Sequence, residues 1–154
     1  MKRLCATLLL LFVAGLGLGK GRHCMLRVHA EANSKDTAVF ATSVRAQLSG
    51  KAVAIEKVAR ITENEVTAFY PYPAGNGQYG VLFQLDEHGR LILDALSVER
   101  RSGFLFVFIN GRAITELQID KRVSDGQLYI PSGLTPRDIE SMKKDWRLIG
   151  KRKR

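Results

Sequence analysis

The sequence has few cysteines, and the scarcity excludes a disulfide-stapled fold. Two cysteines occur in 154 residues, and Cys5 falls in an N-terminal segment that we expect to be removed. The remaining Cys24 has no partner for an intramolecular disulfide, and a lone cysteine is more often buried and inert than reactive. A domain of this length buries about two-thirds of its unfolded surface, so apolar burial can stabilise it without a staple.

Patterns that mark common active sites are also lacking. No serine stands in a G-x-S-x-G setting. The glycine-rich stretch GLGLGKG at residues 15–21 lacks the G-x-x-x-x-G-K-[ST] spacing of a phosphate loop and does not follow a strand. Asp86, Glu87 and His88 adjoin, but the carboxylates suit a predicted helix start and no nucleophile lies near them. We therefore predict no catalytic residue, no cofactor and no enzymatic activity.

A metal site is not predicted either. His23, Cys24 and His29 are the only histidines and cysteine that lie close together in the expected mature chain. Protein metal sites need three or four ligands with suitable spacing. His23 and Cys24 are adjacent, so a strand would direct them to opposite faces.

The N-terminus predicts export. Two basic residues precede a largely apolar run at residues 6–14, and small residues follow. This is the layout of a secretory signal peptide, which we assign to residues 1–19 with cleavage after Gly17 or Gly19. The alternative is an uncleaved membrane anchor, although a spanning helix needs about 20 apolar residues. The mature protein is expected in the periplasm or secreted.

The remaining composition indicates one globular domain with basic ends. Hydrophobic residues make up 45% and charged residues 25%, which is ordinary for a folded domain. The net charge is +9, of which two charges lie in residues 1–19 and four in residues 151–154. The basic tail at residues 151–154 can contact an acidic membrane surface or protein. An exported chain is not expected to bind nucleic acid.

The pattern along residues 20–150 predicts the α+β class, with an antiparallel sheet and two main helices packed on one face. Apolar alternation predicts strands, and Asp86 and Thr135 are expected to cap helices, with Gly103 ending the first. Asn110-Gly111 is a strong hairpin signal, and Asp125-Gly126 is interpreted as a second turn of this kind. The predicted strands are residues 24–30, 52–58, 69–73, 79–85, 104–109, 112–119 and 127–130, of which 104–109 is apolar on both faces and therefore central.

Aromatic residues gather around one predicted hairpin. Prolines at 71 and 73 predict that residues 69–73 form an edge strand or its end. Alternation places Tyr70 and Tyr72 on one face and Phe69 on the other. One interpretation is that the tyrosines cover the rim of a core. The other is a contact patch beside a sheet edge, where a partner strand could add; its candidate binding residues are Phe69, Tyr70, Tyr72 and Tyr79.

Residues 61–146 resemble the head subdomain in the first periplasmic domain of the protein-export proteins SecD and SecDF. VLFQLDEHG at residues 81–89 is similar to the family's V-x-F-x-L-D-E-E-G junction between strand and helix. FVFING at residues 106–111 is similar to its A-I-V-L-D-G hairpin. GQLYI at residues 126–130, followed by Gly-Leu-Thr before the last helix, is similar to G-x-x-x-I-x-G-x-x-T.

The resemblance implies a domain that contacts translocating polypeptide. The matching motifs are mostly turns and core positions, which specify fold more than function. The sequence departs from the family in having no transmembrane bundle, so a proton-driven role is not carried over. The expected function is that of an exported, non-catalytic module that binds polypeptide or an envelope partner. A structural subunit docked through its basic tail and an envelope hydrolase are the alternatives.

Overall fold

The structure is a computed structural model that describes residues 21–33 and 35–151. The predicted signal peptide and residues 152–154 of the basic tail lie outside the described residues. Strands and helices follow one another in the order β1 Leu26–Ala30, β2 Ala41–Arg45, β3 Ala52–Glu56, β4 Ile61–Thr62, β5 Val66–Gly75, β6 Gln78–Leu85, α1 Glu87–Glu99, β7 Phe104–Ile109, β8 Arg112–Gln118, β9 Gln127–Leu134, α2 Pro136–Asp145 and β10 Arg147–Leu148.

The strands form two four-stranded sheets and a separate hairpin. The first sheet has the order β4-β1-β7-β8, the second has the order β10-β5-β6-β9, and β2 pairs with β3. All pairs are antiparallel except β10 with β5. The predicted α+β class with antiparallel pairing and two helices is confirmed, but the single sheet is wrong.

One hydrophobic core joins the two large sheets and both helices. Strand alternation turns Leu26 and Val28 of the first sheet, and Phe69 and Phe83 of the second, into this core. Each helix adds buried apolar side chains to the same core, namely Leu93 and Leu96 from α1 and Ile139 and Met142 from α2. The expectation that both helices pack on one face of one sheet is not confirmed, because they contribute to a core that two sheets share.

Strand β7 is buried on both faces, as its continuous apolar sequence predicts. Leu105, Val107 and Ile109 face the main core. Phe106 lies on the opposite face and packs with Ala46 and Ile55 of the β2–β3 region in a second, smaller cluster. The hairpin therefore covers a sheet face that would otherwise expose phenylalanine side chains.

Local signals place most element ends. Asp86 caps α1 by accepting a hydrogen bond from the Gly89 N–H (2.8 Å), and Thr135 begins α2 with a capping box. Asn110 and Gly111 both have positive φ, of 50° and 78°, as a type I′ turn requires. The predicted end of α1 at Gly103 is wrong, because the helix ends at Glu99 with Arg100 as its C-cap.

The predicted hairpin at Asp125-Gly126 is also wrong. Strand β8 pairs with β7, whereas β9 pairs with β6. The segment between β8 and β9 therefore carries the chain from one sheet to the other. Among the described residues, no helix combines the length and apolar character needed to cross a bilayer.

Candidate binding face and the adjoining groove

Strand β5 divides the predicted aromatic group between the two faces of its sheet. Phe69 is fully buried, and its ring meets the Trp146 ring edge-on at a centroid distance of 6.3 Å. Tyr79 is partly buried and packs against the main core. Phe69 is therefore a core residue with no surface to offer a ligand, because alternation turns its side chain inward.

The outer face of the second sheet carries an exposed aromatic row. Strand register aligns Tyr70 of β5 with Leu82 of β6, and Leu82 with Tyr129 of β9. Tyr70 is 53% exposed and Tyr129 is 54% exposed. The Tyr72 and Tyr129 rings stack with centroids 5.4 Å apart and planes 6° from parallel. We call Tyr70, Tyr72, Leu82 and Tyr129 the tyrosine face.

The sequence did not predict Tyr129 as a member of this face, because it lies far from Tyr70 and Tyr72 along the chain. Its signal is the alternation of buried and exposed residues along Gln127–Leu134, which turns Leu128 and Ile130 inward and Tyr129 outward. Only the pairing of β6 with β9 shows that Tyr129 shares a face with Tyr70.

Tyr72 is held in place on this face. Its hydroxyl donates a hydrogen bond to the Ile130 carbonyl at 2.7 Å. Its ring lies over Gly80, where an added Cβ would come 2.3 Å from ring atoms. Burial raises the pKa of the Tyr72 hydroxyl well above its usual value, and the Tyr129 hydroxyl raises it further. Tyr72 therefore stays a neutral donor and a fixed support for the exposed Tyr129 ring.

The outer edge of β5 is poorly suited to strand addition. The Ile149 N–H donates to the Phe69 carbonyl at 2.9 Å, so the Phe69 backbone points away from β6 and toward β10. Pro71 and Pro73 follow in regular register and point in the same direction, because backbone direction alternates along a strand. Proline has no N–H, so this edge lacks two donors that an added strand would need.

A groove opens beside the tyrosine face at the opposite edge of the sheet from β5, between β8 and β9. It has a volume of about 640 Å³, and Leu82 and Tyr129 line both the groove and the face. We call it the β8–β9 groove. Its apolar lining includes Leu93, Leu105, Leu117, Val123 and Leu128.

The histidines and the cysteine near the start of the described chain do not come together as a metal site. His23 Nδ1 lies 2.9 Å from Asp145 Oδ1, and His29 Nδ1 lies 2.8 Å from the Glu56 carbonyl. Cys24 is buried, and burial raises the pKa of its thiol to about 12. Among the described residues, no three histidine, cysteine, aspartate or glutamate side chains gather as metal ligands would.

The three residues at the start of α1 are likewise separate. Asp86 is the helix cap, and Glu87 pairs with Arg90 at 2.6 Å. His88 is exposed and lies 3.7 Å from Glu65. None of these contacts places a serine, cysteine or other nucleophile beside Glu87 or His88.

A basic surface lies where α2 meets β10. Lys143, Lys144, Arg147 and Lys151 line an open depression of about 730 Å³ that also touches Trp146. Lys143 pairs with Glu140 at 2.7 Å. We call these four cations the basic surface; its last member is the first residue of the predicted tail.

The fold is that of a SecD-like periplasmic domain. A solved structure of SecDF, a membrane component that enhances protein export, superposes with a TM-score of 0.56 at 12% identity, covering 87% of this chain and 70% of that one. A crystal structure of SecDF in a super-membrane-facing form gives a TM-score of 0.56 at 13% identity, covering 84% of this chain and 20% of that one. The resemblance predicted from the sequence is thus confirmed at the level of fold. No family model and no curated protein matches the chain.

Proposed function

We propose that this chain is a non-catalytic module that binds extended polypeptide outside the cytoplasm. The observation that carries the proposal is the tyrosine face. Tyr70 and Tyr129 expose large, rigid side chains from the middle of a sheet rather than from a loop. Tyrosine provides amphipathic contact area at a low cost in side-chain entropy.

The surroundings of the face support polypeptide as the ligand class. The Tyr72–Tyr129 stack and the hydrogen bond to Ile130 keep the rings ordered before binding, so little ordering remains to be done when a ligand arrives. The face has no charged member, which suits apolar side chains of an unfolded chain. We expect weak affinity, because a protein that handles transient clients must release them.

Two further observations support the location and the class of activity. The N-terminal charge and apolar pattern is that of an export signal, and the similar SecDF structure is of a component that enhances protein export. The polar groups that could have served catalysis are engaged in caps, ion pairs and backbone contacts.

The test is titration of fluorescent unfolded peptides with the mature chain. Tyr70→Ala/Tyr129→Ala should weaken binding about tenfold or more, since aromatic contact residues often contribute above 1 kcal/mol each. Leu91→Ala/Val98→Ala is the matched control, because these α1 side chains are 52% and 58% exposed and lie outside the tyrosine face. Equal binding by wild type and the tyrosine variant would show that the face is not the site.

The alternative of a structural subunit at a membrane is favoured by the basic surface. Lys144 and Arg147 are exposed, and a cluster of cations adsorbs to anionic lipid. If this function holds, the mature chain should sediment with vesicles containing anionic lipid and not with neutral ones. Lys144→Glu/Arg147→Glu should abolish that adsorption.

A further inference from the structure

We propose that the β8–β9 groove receives an extended apolar polypeptide segment as an added β-strand, with a basic residue of that segment at the acidic mouth. This inference rests on the proposed function, since it names how the polypeptide is held. It assigns strand addition to the gap between the two sheets rather than to the edge of β5.

Strand β8 turns toward the groove backbone groups that pair with no other strand among the described residues, although the Glu116 carbonyl accepts the Thr115 hydroxyl at 3.3 Å. The Ile119 N–H donates to the Gly103 carbonyl at 2.9 Å, and the Ile119 carbonyl accepts from the Ser102 N–H at 2.8 Å. The Ile119 backbone therefore points toward β7. The backbones of Gln118 and Glu116 alternate with it and point the other way, toward the groove that both residues line.

Strand β9 does the same from the opposite wall. The Leu85 N–H donates to the Gly126 carbonyl at 2.9 Å, so the Gly126 backbone points toward β6. Gln127 and Tyr129 alternate with Gly126 and Leu128 and point away from β6. The Gln127 N–H is satisfied by Asp125 Oδ1 at 3.0 Å, which leaves Tyr129 as the donor on this wall.

The two strands are kept from pairing with each other. Near one end they are in contact, because a Cβ on Gly133 would lie 3.2 Å from the Ile114 carbonyl oxygen. Toward the other end, the linking segment is tied to α1 by a hydrogen bond from the Val123 N–H to the Ser97 hydroxyl at 2.9 Å. Within the residues that the structure describes, β8 and β9 remain edge strands of separate sheets.

The groove fits a strand whose side chains alternate between two environments. Its floor is formed by apolar side chains such as Leu93, Leu105 and Leu117. Alternate side chains of an added strand would enter this floor, and the others would lie beside Tyr129. The volume of about 640 Å³ is in the range of ligand-binding clefts.

Charge at the mouth favours a basic residue in the ligand. Asp120 and Asp125 line the mouth with Lys121, and all three are exposed. The Glu116 carboxylate accepts the N–H groups of Gln47 and Leu48 and is therefore already engaged. Two exposed aspartates against one lysine leave a net negative charge at the mouth, which complements a Lys or Arg that flanks an apolar run.

The decisive experiment changes the peptide backbone and leaves the protein intact. A fluorescent peptide with an apolar core and a flanking lysine is compared with the same peptide carrying ester linkages in place of central amides. Esters remove N–H donors without changing the side chains. Strand addition predicts binding at least fivefold weaker for the ester peptide, and equal binding would overturn the proposal.

A protein variant tests the β8 wall. Gln118→Pro removes an N–H that points into the groove and spares the ladder to β7, whereas Gln118→Ala removes only the side chain. The proline variant should bind the amide peptide severalfold more weakly than the alanine variant, with its unfolding transition checked by Trp146 fluorescence. If the proline variant does not fold, the ester peptide on the wild-type protein still decides.

The outcomes separate this proposal from the broader one. Weakening by Tyr70→Ala without any ester effect would retain polypeptide binding on the face and refute the added strand. Absence of binding by every peptide to the wild-type protein would refute both. A preference for lysine-flanked peptides that disappears in Asp120→Asn/Asp125→Asn would support the basic residue at the mouth, and no preference would contradict it.

Discussion

Replacing Gly80 by alanine should destabilise the protein through Tyr72 alone. An alanine Cβ at this position would lie 2.3 Å from the Cζ and hydroxyl oxygen of Tyr72. Carbon atoms do not approach so closely, so the ring must leave its place. Gly80 does not have positive φ, and the backbone itself can therefore accept alanine.

The size of the effect follows from what Tyr72 loses. The hydrogen bond to the Ile130 carbonyl is worth about 0.5–1.5 kcal/mol, and the stack on Tyr129 is worth about 0.5–1.5 kcal/mol. Alanine gains about 0.4–1 kcal/mol because it restricts the unfolded chain more than glycine does. From the middle of each range, we therefore expect Gly80→Ala to lower the free energy of unfolding by about 1.3 kcal/mol.

The assay is chemical denaturation followed by tryptophan fluorescence. The chain has one tryptophan, and Trp146 is buried with edge-on contacts to Phe69 and Phe83. Gly80→Ala is measured in wild type and in Tyr72→Ala. Without the ring the clash disappears, so the same change should become neutral or stabilising by about 0.4–1 kcal/mol. Equal destabilisation in both backgrounds would refute the reasoning.

Three further outcomes are expected. Phe106→Ala should lower the free energy of unfolding by about 3–5 kcal/mol, measured by denaturant midpoint, because the hairpin buries Phe106. Cys24 should resist alkylation until the protein unfolds, since burial keeps its thiol protonated. Burial raises the pKa of Asp138, but hydrogen bonds from Thr135 and Arg112 outweigh this effect and lower the pKa. The stability that ionised Asp138 contributes should therefore be complete above a pH of about 4 and be lost at lower pH. Asp138→Asn should reduce this loss of stability in acid.

Local structure was predictable where short-range chemistry decides it. Asp86, Thr135 and Asn110-Gly111 mark their caps and turn because the interacting groups lie within a few residues. The apolar run at Phe104–Ile109 identified the central strand because only a strand covered on both faces needs such a sequence. The hairpin between β5 and β6 was predictable because its two strands are neighbours in the sequence.

The division into two sheets was not predictable from these patterns. Asp125-Gly126 has a turn-forming sequence, and Gly126 does have positive φ (70°). A turn sequence does not state which strands it separates, however, and β9 finds its partner in β6 rather than in β8. The short parallel strand β10, whose Leu148 pairs with Phe69, has no sequence signal beyond two residues.

The candidate site was only half accessible from the sequence. Alternation placed Tyr70 and Tyr72 together and separated Phe69, as the structure shows. Tyr129 required the register of β9 on β6, which is a long-range contact. The prolines at 71 and 73 marked an edge, but only the hydrogen bond from Ile149 to Phe69 shows that their missing N–H groups face outward.

The way the sheet edges are arranged bears on what this fold can accept. Strands β4 and β10 contain two residues each, and the exposed part of β5 has prolines at its outward positions, so these edges offer little to another sheet. The longer edges, β8 and β9, face each other across the groove. A folded copy would bring its whole sheet along with its edge strand, and that sheet does not fit between the two walls. A single unfolded segment brings no sheet and can therefore enter the groove. Placing the open backbone groups inside a groove thus protects against edge-to-edge aggregation and at the same time leaves a position for one extended chain.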